Sequence, residues 1–210
     1  MLKAILFDWD GTLYNSLPNI EKAYNETGKR IDLSHYPYEN FRHLIGIPTI
    51  KQGKIILPSE PELFVEIYRQ EYVKLPKAGL YENAKTSISV LAEMGFNIVL
   101  VTSKTRKSAL ENLKDHSLYD LFDFFICGDE VRNPKPDPEP IIKALEILKI
   151  SPEEAVYIGD SAQDIMASKG ARVKVIGVTW GAKLKEEIKN EKPDFIADSF
   201  KELIEIIRSL

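Results

Sequence analysis

The sequence predicts an α/β fold: a parallel sheet covered by helices on both faces and interrupted once by a helical insertion. Three observations carry this. The apolar run over residues 2–7 ends abruptly in Asp8-Trp9-Asp10-Gly11-Thr12. From Gly79 onward, short apolar runs alternate with amphipathic stretches. Between these regions, residues 16–78 show helical periodicity and no convincing strand. Residues 2–7 read as a strand buried on both faces, because their apolar character is continuous. In the insertion, Leu17, Ile20, Tyr24 and Thr27 share one helical face, and Leu63, Phe64, Ile67, Tyr68 and Tyr72 form a second stripe. Ser59-Glu60-Pro61-Glu62 has the spacing of a capping box before that second helix. A helix over 82–94 ends at Gly95, and a strand over 97–101 and a helix over about 105–114 follow. A further strand ends near Cys127, and Pro138 opens a helix to about residue 148. Strands over 155–158 and 174–178 come next, then a closing helix over 199–210 with Phe200, Leu203, Ile204 and Ile207 facing inward. The expected division is therefore one α/β unit made of residues 1–15 and 79–210, with residues 16–78 as a helical unit inserted into it.

Composition narrows the function classes. The chain has 210 residues and a formal net charge of −4, which argues against a nucleic-acid surface, and no polybasic membrane patch is visible. Cys127 is the only cysteine, so no intrachain disulfide can form and a reducing, cytoplasmic setting is expected. The apolar run at the N-terminus is too short for a signal peptide or an anchor, and no run approaches the roughly 20 residues that span a bilayer. A monomer or a homodimer is the expected state.

Chemistry gathers at strand ends. Asp8 and Asp10 leave the first strand two residues apart and repel each other unless a cation intervenes, so the pair points to a hard metal with oxygen ligands. The strand over 98–101 ends in the hydroxyls of Thr102 and Ser103. Asn133-Pro134-Lys135-Pro136-Asp137-Pro138 is a stiff loop holding one lysine. The strand over 156–158 runs into Gly159-Asp160, with Asp164 four residues on. In a parallel α/β sheet these ends share one edge. Carboxylates, a metal, hydroxyls and an ammonium together suit phosphoryl transfer, which needs donors and cations around the phosphoryl oxygens and an in-line attacking oxygen.

In order and spacing these four motifs resemble the haloacid dehalogenase superfamily, and the insertion after the first of them resembles the helical cap of its phosphoglycolate phosphatase-like branch. Thr179-Trp180-Gly181 and residues 193–199 are also similar to that branch. The resemblance implies a Rossmann-like core and a Mg2+-dependent hydrolase of small phosphorylated metabolites. It implies Asp8 as the nucleophile that becomes an aspartyl-phosphate and Asp10 as the acid and base. Thr102, Ser103 and Lys135 are implied as phosphoryl-binding groups. Asp8, the main-chain carbonyl of Asp10 and Asp160 are implied as metal ligands, with Asp164 supporting the metal. In the insertion, Arg42, His43, Gly46, Ile47 and Pro48 match the segment that reads the substrate in relatives. Arg42 suits a bidentate grip on a carboxylate or a pair with a surface acid. Where the family pattern has an acid after Gly-Thr-Leu, this chain has Tyr14-Asn15-Ser16, which weakens any transfer of substrate identity.

Rival readings are few. A 2-haloacid dehalogenase needs neither Asp10 nor a metal. Phosphonatase-type relatives use a cap lysine, but Lys22, Lys29, Lys51 and Lys54 match no motif. A β-phosphoglucomutase-type enzyme shares all four motifs. A phospho-receiver domain is shorter and usually has adjacent acids, and a silent binding module fits poorly with four intact motifs. Lys104, Arg106 and Lys107 read as a solvated helix start, and His35, His43, His116 and Cys127 as structural or surface residues.

Overall fold

The computed structural model describes residues 1–210. Six strands, β1 (Ala4–Phe7), β2 (Asn97–Val101), β3 (Phe124–Ile126), β4 (Ala155–Gly159), β5 (Lys174–Val178) and β6 (Phe195–Ala197), form one sheet in the order β3-β2-β1-β4-β5-β6. Every neighbouring pair is parallel. The chain winds outward from β1 in both directions, so a crevice opens beside the carboxyl end of β1. Register sets what stands there. Phe7 pairs with Leu100 of β2 and with Ile158 of β4, so Asp8, Thr102 and Asp160 leave the same edge within about one residue of each other.

Strand β1 shows why its sequence is continuously apolar. Ile5 and Phe7 enter a cluster of 24 buried residues on one face of the sheet, and Ala4 and Leu6 enter a cluster of 16 on the other. Helices α5 (Ala84–Glu93), α6 (Arg106–Asp115) and α10 (Phe200–Arg208) cover the first face. Helices α7 (Glu139–Leu148), α8 (Ala162–Gly170) and α9 (Lys185–Asn190) cover the second. The side chains of Thr105 and Ser199 cap α6 and α10 by accepting from the main-chain N–H of Ser108 and Glu202.

The insertion holds four helices, α1 (Leu17–Gly28), α2 (Tyr38–Phe41), α3 (Thr49–Ile56) and α4 (Pro61–Val73). They build a separate cluster of 11 buried residues in which Tyr24 stacks on Phe41 at 4.1 Å and Phe64 on Tyr68 at 5.7 Å. Ala182, from the loop after β5, is the one member contributed by the sheet unit.

Two local expectations change. The capping box of Ser59 does not form: α4 starts at Pro61 with Glu60 in the N-cap position, which leaves Ser59 one residue too early to cap. Strand β6 has no counterpart in the sequence reading, because three residues are too short to show a period. Its pairing with β5 at the sheet edge decides its conformation.

Candidate active site

Four buried charges meet at the carboxyl edge of the sheet. The Lys135 ammonium donates to Asp8 Oδ1 at 2.8 Å and Asp164 Oδ1 at 2.6 Å, and lies 2.8 Å from the Tyr157 hydroxyl and 3.2 Å from the Val101 carbonyl. Its side chain is 3% exposed. Prolines on either side restrict the backbone of the loop that carries the lysine. Tyr157 is fully buried in β4 and donates toward the Val101 carbonyl or Asp164. Asp164 also caps its own helix, because its second carboxylate oxygen accepts from the main-chain N–H and the hydroxyl of Ser161.

Asp160 is held on every side. Its carboxylate accepts from the Thr12 hydroxyl at 3.3 Å and from the Ala182 N–H at 2.6 Å. It lies between two glycine backbones: a Cβ on Gly11 would stand 2.1 Å from Oδ2, and one on Gly181 would stand 2.2 Å from it. Gly11 also has φ +81°, where a side chain is strained whatever the space. Trp180 donates its indole N–H to the Thr12 carbonyl at 2.9 Å, tying the Gly181 loop to the Gly11 turn.

The electrostatics follow from burial. Desolvation is the largest influence on Asp8, outweighs Lys135, and pushes its pKa up to about 7. Asp160 is raised well above the usual carboxylate range by burial and by the charges of Asp164 and Asp8. Burial works against the charge on Lys135, but Asp164 and Asp8 overcome it and hold its pKa above the ordinary lysine value. Three buried carboxylates thus face one ammonium. Asp8, Asp160 and Asp164 each offer an oxygen within 4.8 Å of the others, a hard-oxygen set that, once all three are ionised, outweighs the single ammonium. A divalent cation such as Mg2+ fits that excess in both charge and donor type.

Asp10 stands apart from this cluster. Its carboxylate is bound by the Lys104 ammonium at 3.0 and 3.2 Å. This corrects the reading of Lys104 as a solvated residue: its side chain is 16% exposed and its ammonium lies 5.9 Å from the centroid of the Tyr14 ring. The cause is tertiary, since the turn after β1 delivers an acid to the turn after β2. Arg106 meets the expectation of a surface cation and pairs with Glu130 at 2.8 Å.

The two hydroxyls after β2 differ. Thr102 is buried and accepts from the Lys104 main-chain N–H at 3.2 Å, so its own proton is available to a ligand. Ser103 donates to the Gly46 carbonyl at 2.7 Å and therefore meets the insertion. Gly46 has φ +102°, and a Cβ there would stand 3.2 Å from Ser161 Oγ, so a glycine is needed where the insertion touches the sheet edge. Arg42 is not free to grip a ligand. It donates to Glu187 at 2.9 Å and to the Ala182 carbonyl at 3.2 Å, across the seam between insertion and sheet. His43 lies at the same seam, 3.0 Å from the Lys183 ammonium and 3.3 Å from Glu187.

Sequence reasoning read Lys104 as solvated and gave no role to Thr12, Tyr157 or Ala182. Only Tyr157 left a local signal, a hydroxyl-bearing ring in an otherwise aliphatic strand that needs a buried partner.

Comparison with known proteins supplies the context. A family model described as haloacid dehalogenase-like hydrolase matches residues 5–178. A pyrophosphatase PpaX of Anoxybacillus flavithermus is 34% identical, the alignment covering 98% of this chain and 97% of that one. A phosphoglycolate phosphatase of Vibrio cholerae is 33% identical, again over 98% and 97%. Among solved structures, a predicted phosphoglycolate phosphatase from Haemophilus somnus superposes with a TM-score of 0.88 at 26% identity, covering 98% of both chains.

Proposed function

This chain belongs to the haloacid dehalogenase-like hydrolases, and from that premise we propose that it is a magnesium-dependent phosphatase of small phosphorylated metabolites that works through a phosphoryl ester on Asp8. The observation that carries the reading is the buried Asp8 carboxylate, with an ammonium at 2.8 Å and two further carboxylates beside it. In this reading Asp8 attacks the phosphorus and the bond to the leaving oxygen breaks. Asp10 gives that oxygen its proton, then takes a proton from the water that attacks the aspartyl-phosphate, releasing phosphate and restoring Asp8. Thr102 and Lys135 hold the phosphoryl oxygens, and Lys135 also offsets charge on Asp8. Asp8, Asp160 and the Asp10 carbonyl would hold the magnesium ion, with Asp164 next to them. Bound there, the ion supplies charge neutralisation for an anion approaching an anion. The residue 16–78 unit then serves as a cap that shields the phosphoryl edge from water.

Phosphoglycolate is the first substrate to try and pyrophosphate the second, because relatives of nearly equal similarity carry those two names. Solved structures described as putative β-phosphoglucomutases are 24% and 23% identical and support the shared fold alone. No helix is long and apolar enough to cross a membrane. The single, buried thiol of Cys127 supports a reducing, cytoplasmic setting.

The test is phosphate release from p-nitrophenyl phosphate. With magnesium the protein turns over the ester. In EDTA, or with Asp8→Asn, the rate falls by at least about 10³-fold, as expected when a nucleophile or its counter-charge is removed. Equal rates in all three samples would end the proposal.

A further inference from the structure

We infer that Lys104 recognises a negative charge on the leaving group, so that the preferred substrates carry a carboxylate or a second phosphoryl group close to the oxygen that departs. This rests on the assignment of Asp10 as the group that protonates that oxygen. It goes further by selecting among phosphorylated compounds.

Geometry carries the argument. A leaving oxygen in contact with Asp10 lies about 3 Å from that carboxylate. The Lys104 ammonium lies 3.0 and 3.2 Å from the two oxygens of the same carboxylate. Its ammonium is therefore within about 6 Å of the leaving oxygen, the reach of a carboxylate one methylene away or of an adjoining phosphoryl group. The side chain is also pre-placed. Its main-chain N–H is tied to Thr102 Oγ1, its stem is largely buried, and its ammonium lies near the Tyr14 ring.

The neighbouring cations are committed elsewhere. Lys135 has four oxygens within 3.2 Å of its ammonium and faces Asp8, on the side of the transferred phosphoryl group. Arg42 is paired with Glu187, and Lys183 with His43. Lys104 alone has as its partner the very group that turns to the leaving oxygen. An anionic leaving group offers the ammonium a second partner and frees the Asp10 oxygens for proton transfer. The bond balance is unchanged: the phosphorus exchanges its leaving oxygen for Asp8, and the proton on the departing group comes from Asp10.

The experiment compares kcat/KM, which covers every step up to Asp8 phosphorylation, for 2-phosphoglycolate and pyrophosphate against 2-phosphoglycolamide and ethyl phosphate, whose leaving groups carry no charge. The wild-type protein is expected to prefer an anionic substrate by about 10- to 100-fold, the range of one charge-assisted hydrogen bond. Lys104→Met removes most of that preference, and Lys104→Arg retains much of it. Preference for phosphoglycolate over phosphoglycolamide marks a carboxylate site; because pyrophosphate is an anhydride with a better leaving group, a phosphoryl site is marked by a loss on pyrophosphate in Lys104→Met that exceeds the loss on ethyl phosphate. No preference in the wild-type protein overturns the inference without recourse to any variant. An equal loss on substrates with charged and with uncharged leaving groups in Lys104→Met also overturns it, and reduces Lys104 to a positioning residue for Asp10. Calorimetric binding of phosphoglycolate and phosphoglycolamide to Asp8→Asn in magnesium separates this failure from that of the phosphatase reading: the binding preference reports on Lys104 even if no ester turns over.

Discussion

The sheet edge and the seam with the insertion both hold clusters of charge, yet physically they are opposites. At the edge, Lys135, Asp8, Asp160 and Asp164 are almost wholly buried, and each is pinned by main-chain or side-chain partners. At the seam, the Arg42 and Glu187 side chains are 26% and 29% exposed and His43 is 51% exposed. Burial removes solvent screening, so charges at the edge perturb one another strongly. Solvent weakens the pairs at the seam to about 1 kcal/mol or less. The difference teaches how burial sorts the charges: those at the sheet edge form a tightly coupled buried set, and the ion pairs that join the insertion to the sheet unit are screened by solvent.

The sharpest way to break that contrast is Lys135→Met. Removing the ammonium leaves Asp8 and Asp164 facing each other without a counter-charge. Activity is expected to fall by about 10²–10³-fold, the usual result of losing a preorganised charge donor. Stability should drop by about 3–5 kcal/mol, because a buried pair is broken from one side. Steady-state kinetics and denaturant melts check both, and a variant as stable and active as the wild type would show that the edge is not coupled.

A middle-sized effect is expected from pH in the metal-free protein. The folded pKa of Asp8, about 7, lies above its ordinary value of 3.8, and Asp160 shifts the same way. Proton binding therefore favours the folded state. That stabilisation is fully present below 3.8 and is lost as pH rises through about 7. In EDTA the melting temperature should fall between about pH 5 and about pH 8, and magnesium should raise it most at the higher pH, where the carboxylates are ionised. An EDTA profile flat across that window contradicts the coupling.

The smallest effect belongs to the seam. Arg42→Ala removes a half-exposed pair with Glu187 and a bond to the Ala182 carbonyl. The expected cost is at most about 1 kcal/mol, with KM changed by less than about threefold. A loss as large as that of Lys135→Met would erase the distinction between the two regions and make the seam part of the reaction machinery.

The chain carries its architecture in local signals. Continuous apolar strands, helical stripes and the glycines and prolines between them were enough to infer a parallel sheet with one helical interruption. The acids, hydroxyls and lysine at strand ends stood out because each closes an apolar run. Lys104, Tyr157, Thr12 and Ala182 left little or no such mark, and the capping box at Ser59 left a misleading one. Their roles depend on who stands opposite: Lys104 is an ordinary helix-start cation until the β1 turn brings Asp10 to within 3.0 Å of it. Periodicity and residue type report on the environment along the chain, and so they determined the fold class and the set of strand-end acids, while the choice of Asp8 among those acids as candidate nucleophile came from the family resemblance. Partnerships between distant segments depend on sheet order and register. Only the folded molecule therefore decided that Arg42 is spent on Glu187, that Gly11 and Gly181 enclose Asp160, and that one buried ammonium must serve two carboxylates.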